Sequence, residues 1–114
     1  MESVVMAIPI LPGKTQETQK YFEDLKAEKW QEFCQSEERA GIVKERDFLQ
    51  ITPNGDIVLM YVEAEDLSKA FAQFAASQNP FDLYIKSELK KLTGLDLGQS
   101  ISEALPQLLL AYDK

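Results

Sequence analysis

The chain has no histidine and a single cysteine among its 114 residues. Without histidine it lacks the commonest general base near neutral pH and the usual ligand of zinc and of haem iron. One cysteine, Cys34, permits no intramolecular disulfide, so the composition fits a reducing compartment and points to the cytoplasm. Long apolar runs are also missing. The longest, from Val4 to Leu11, is too short to span a bilayer, and the acidic start Met1-Glu2-Ser3 carries no basic region of the kind a signal peptide needs. Basic residues are scarce: 12 Lys and Arg stand against 19 Asp and Glu, for a net charge of −7. Phosphate backbones and anionic membranes repel such a chain, so neither nucleic acid nor membrane is an expected partner. Gly94 and Gly98 lack the spacing of a phosphate-binding loop. No cofactor and no metal site is read from these residues, although magnesium or calcium on carboxylates stays open.

Apolar residues make up 45% and charged residues 27%, the balance of a packed globular chain rather than a disordered one. The length fits one domain, residues 1–114. Residues 3–10 alternate as a strand whose two faces are both apolar. After the Pro12-Gly13 turn, Thr15 is placed to cap a helix running to about Arg39, with Phe22, Leu25, Trp30, Phe33 and Ala40 on one broad face and Gly41 at its end. Residues 42–51 and 56–63 read as a hairpin about Thr52-Pro53-Asn54-Gly55. A two-residue Asn-Gly turn would set Arg46 opposite Glu63, and a three-residue turn with a glycine bulge would set Asp47 opposite Tyr61. Asp66 caps a second helix carrying Leu67, Ala70, Phe71, Phe74 and Ala75; Asn79-Pro80 starts a third, which stops at Gly94. Residues 98–106 read as a connector and 107–113 as a last strand.

Strand, helix, hairpin, helices and strand make an α+β domain of ferredoxin-like β-α-β-β-α-β order. Right-handed crossovers put all the helices on one sheet face. The other face is too apolar for water: the strands carry Val5 and Ala7, Leu59 and Tyr61, and three consecutive leucines, 108–110. A second copy is the simplest cover, which predicts a homodimer with two sheets face to face. This layout resembles the dimeric α/β-barrel superfamily, which includes the antibiotic-biosynthesis monooxygenases. More narrowly, the stretch 77–82 (Ser-Gln-Asn-Pro-Phe-Asp), Leu95-Asp96-Leu97, the strand 45–50 and the turn 52–55 are similar to a group of small bacterial proteins of unknown function. That resemblance implies a fold and transfers no activity. Superfamily members that bind haem use histidine, which this chain lacks.

Within such a barrel, Glu45 and Asp47 lie two apart on one strand and share a face. Facing inward, they could hold a cation or serve as base and acid; facing outward, they are ion-pair partners of Lys44 and Arg46 or simply solvated. Tyr61 offers a hydroxyl to the same interior or packs as an ordinary strand aromatic. Glu45, Asp47 and Tyr61 are thus the candidate pocket for a small, partly apolar molecule. Two other readings use different residues or chemistry. One is a cofactor-independent monooxygenase- or isomerase-type enzyme, which needs a buried carboxyl with a raised pKa. The other is a protein-interaction module built on acidic helix surfaces at Glu23-Asp24 and Glu37-Glu38.

Overall fold

The computed structural model describes residues 1–99 and 105–114. In chain order the elements are β1 (Glu2–Pro9), α1 (Thr15–Glu28), α2 (Trp30–Ala40), β2 (Ile42–Gln50), β3 (Ile57–Ala64), α3 (Leu67–Ala76) and α4 (Pro80–Thr93). No helix among the described residues is long and apolar enough to cross a membrane.

The strands form one antiparallel sheet in the order β1-β3-β2. Its period-two pattern sorts the side chains. Val4, Ile8, Val58 and Val62 are buried beneath the helices, while Val5 and Phe48 on the opposite face are each more than half exposed. The hairpin pairs Arg46 with Tyr61 and Gln50 with Ile57. That register is neither of the two expected. The turn centres on Pro53-Asn54, with the Gly55 amide donating to the Thr52 carbonyl at 3.2 Å and Gly55 at φ 126°. Proline has no amide to give a ladder and its fixed φ suits the first central turn position, so the chain reverses one step earlier than an Asn-Gly turn would allow. A bulge between Ile42 and Lys44 offsets the far end of β2.

The helix ends follow local chemistry. Asp66 accepts from the Lys69 amide at 3.0 Å, and Asn79 accepts from the Phe81 amide at 2.9 Å ahead of Pro80. Gly41 and Gly94 close α2 and α4 in the left-handed conformation. Thr15 does not cap α1; its hydroxyl donates to Asp56 Oδ2 at 2.6 Å and ties α1 to the approach of β3. The long helix expected from Thr15 to Arg39 is two helices, broken at Lys29 (φ −126°, ψ 20°). No proline or glycine stands there. Beside the break the Lys29 ammonium lies 5.0 Å over the Tyr84 ring, and Trp30 stacks on Phe33 at 5.6 Å.

Two clusters form the core. Tyr21, Leu25, Phe81, Ile85, Leu89 and Leu92 join α1 to α4, while Val4, Val62, Ala64, Leu67 and Ala70 join the sheet to α3. Between them runs a polar tie. Asp82, 1% exposed, accepts from the hydroxyls of Ser36 and Ser77 and from Arg39 at 3.0 Å. Lys86, 8% exposed, donates to the carbonyls of Phe74, Ala75 and Ser77 at 3.0, 2.9 and 2.8 Å, saturating the end of α3.

One expected element is missing. Residues 105–114 carry no helix, ladder, turn or bend, so 107–113 add no strand to this sheet. Of the connector expected at 98–106, residues 100–104 lie outside the described residues. The α+β class holds, with three strands and four helices among the described residues rather than the four strands expected.

Candidate functional site

The register decides where the strand carboxyls go. Glu45 pairs with Val62 and Asp47 with Met60, so both point beneath the helices, not onto the open face. Tyr61 pairs with Arg46 and points the other way, where its hydroxyl donates to Glu63 at 2.5 Å. The three candidate residues are therefore not one pocket: the two acids share a site, and Tyr61 belongs to a separate polar group with Glu63, Lys44 and Arg46 on the open face. The physical reason is the odd–even alternation of a strand, under which a register one residue away exchanges every side chain between faces.

Two residues outside the expected pocket complete the site. Sequence pattern groups Glu37 with Glu38 as an acidic helix surface. Glu38 is exposed, but Glu37 is half-buried and turns towards Glu45. The signal for this is position: Glu37 follows Phe33 by four, on the same helix stripe. Tyr21, four before Leu25, is 6% exposed and packs edge-on to Phe22 at 5.0 Å.

Glu37, Glu45 and Asp47 lie within reach of one another, close enough for each to shift its neighbour's protonation. Two carboxyl groups can share a hydrogen bond only when one of them carries a proton. Burial supplies that proton: it pushes Glu45 up to about 8, against the lowering effect of a hydrogen bond from Asp47. Burial, with the bond to and the charge of Glu45, pushes Asp47 up to about 9. Glu37 is also raised by burial, offset by the hydrogen bond from Glu45. The buried Tyr21 hydroxyl is raised by burial first, then by the charges of Glu45, Tyr84 and Asp47. At neutral pH the strand pair is accordingly neutral and able to donate. Glu37 Oε2 and Asp47 Oδ1 are buried with no nitrogen or hydroxyl partner among the described residues.

Glu45 lines a cavity of about 70 Å³ between helices and sheet, walled by Met6, Met60, Phe33, Phe71 and Leu97 among others. Glu45 also lines an outer cleft with Lys26, Trp30, Arg46 and Asp47, and Phe22, Leu25 and Phe33 border both spaces. Glu45 thus stands between a mostly apolar chamber and an outer mouth that carries Asp47, Trp30 and Lys26. Trp30, 55% exposed, belongs to that mouth and not to the core. No group of three or more Asp, Glu or Cys among the described residues has metal-holding geometry. No curated protein and no solved structure matches the chain. Residues 1–113 match the sequence profile of DUF6176, and the chain belongs to that family of unknown function.

Proposed function

We propose that the chain works as a homodimer in the manner of the dimeric α/β barrels, each subunit binding a small, partly apolar molecule between its helices and its sheet. The observation that carries the binding site is Glu45, a carboxyl held neutral beside Asp47, at a cavity lined mostly by apolar side chains. The Glu45 proton faces Glu37, so the fitting partner offers an acceptor, such as a carbonyl or ether oxygen, that takes this proton in place of Glu37. A cavity of about 70 Å³ takes only a small head, being about half the ~150 Å³ of an apolar cavity that holds benzene. The rest of the molecule lies in the outer cleft against Trp30 and Lys26. The apolar open face, with Val5 and Phe48 exposed, supports the two-fold partner.

The pKa of Glu45 favours a second reading. An acid titrating near 8 is matched to proton transfer at neutral pH, which suits a cofactor-independent isomerase-type reaction. One substitution separates the two. Glu45→Gln keeps the shape and the donor but cannot give up a proton, so a binding protein keeps its ligand and an enzyme loses turnover. The first test is native mass spectrometry of freshly purified protein, followed by thermal-shift screening against small ketones, esters and lactones. A retained adduct or a shift that Glu45→Ala abolishes is expected. A bare mass and no shift with any of these compounds would sink the ligand reading.

A further inference from the structure

We propose that residues 107–112 of each chain add as a fourth strand to the free edge of β1 in a second copy. The inference rests on the two-fold assembly above and specifies what holds it together.

The segment is built to be covered. Leu108, Leu109, Leu110 and Tyr112 are 62%, 88%, 86% and 84% exposed. In an extended chain Leu108 and Leu110 point one way and Leu109 the other, so burying all three takes a strand inside a two-layer arrangement rather than a segment lying on a surface. The acceptor is equally plain. From Ser3 to Pro9, β1 carries no charge and no bulge, and its outer edge pairs with nothing among the described residues. Such an edge invites an added strand. The other edge, β2, is guarded by its bulge and by Lys44, Glu45, Arg46 and Asp47.

The segment does not pair with its own β1: residues 105–114 carry no ladder, turn or bend, and Leu105 packs against the cluster of Val4, Val62, Ala64, Leu67 and Ala70 between the sheet and α3. A leucine segment left unpaired in its own chain and a free β1 edge in each copy complement one another across a two-fold assembly.

Two experiments test this. In a Cys34→Ser background, Val5→Cys and Leu109→Cys are joined with a short bismaleimide. A covalent dimer is expected; an internally linked monomer would overturn the exchange. Second, a chain ending at Pro106 should keep its circular dichroism while its dimer dissociation constant rises more than about a hundredfold. If truncation impairs folding, Leu109→Asp with Leu110→Asp in the full chain takes its place and should give the same loss. A dimer as tight as the parent overturns the strand exchange and leaves the two-fold assembly standing. A full-length monomer at micromolar concentration overturns both.

Discussion

Asp47 and Asp82 are both inward-facing aspartates, and their neighbours drive them in opposite directions. Burial dominates at Asp47, while at Asp82 burial is outweighed by the hydroxyls of Ser36 and Ser77 and by Arg39, which hold the carboxyl below its ordinary range. The consequences for stability have opposite sign. Asp82 binds fewer protons when folded, so its contribution is present above its ordinary value of 3.8 and is lost on acidification. Glu45 and Asp47 bind more protons when folded. Their contribution is complete below their ordinary values of 4.5 and 3.8 and is lost as pH rises through about 8 and about 9. Urea midpoints should therefore peak in mild acid and fall towards alkaline pH, with a slope of up to about 1.4 kcal/mol per pH unit for each acid that titrates. Glu45→Gln should flatten the alkaline limb and be the more stable protein once the pH reaches about 8. Parallel curves for parent and variant would mean that Glu45 titrates like a free carboxyl. The pairing of Glu45 with Asp47 is legible from their spacing alone. Their face is not, because it depends on where the Pro53-Asn54 turn reverses the chain, and local sequence allows several registers.

The elements divide in the same way between local and tertiary causes. Most caps and stops that rest on a single residue are legible: Asp66, Asn79-Pro80, Gly41 and Gly94 act where the sequence puts them, and Thr15, drawn to Asp56, does not. The break at Lys29 is not, since no backbone-disfavouring residue marks it. Lys86 escapes sequence reasoning for a related reason. A lysine on a buried stripe reads as a snorkelling side chain, yet three carbonyls at the end of α3 hold its ammonium inside. Lys86→Met keeps the stem's volume and removes the donors. It should destabilise the fold by about 2–3 kcal/mol, the scale for leaving buried acceptors unsatisfied, and speed amide exchange through the last turn of α3. An unchanged denaturation midpoint would show that water replaces the ammonium without loss.

For the whole molecule, the decisive feature is a sheet with one covered face and one bare one. The helix layer accounts for Val4, Ile8, Val58 and Val62, and nothing in a single described chain accounts for Val5, Phe48 or the leucines at 108–110. This double apolar facing is legible in the residues themselves, because both alternating sets of β1 and β3 are hydrophobic. That residues 107–113 add no strand to their own sheet is not legible there, since a strand pattern is the same whatever it pairs with. If the bare face is an interface, folding is linked to association and the thermal midpoint must rise with protein concentration. Raising the concentration from about 1 to about 100 µM should shift the parent upward by several degrees. Phe48→Lys places a charge on the bare face without touching either core cluster. Its midpoint should match the parent's at the dilute end and stay flat as concentration rises. A parent midpoint independent of concentration, or a variant that climbs alongside it, would locate the cover of this face within the single chain.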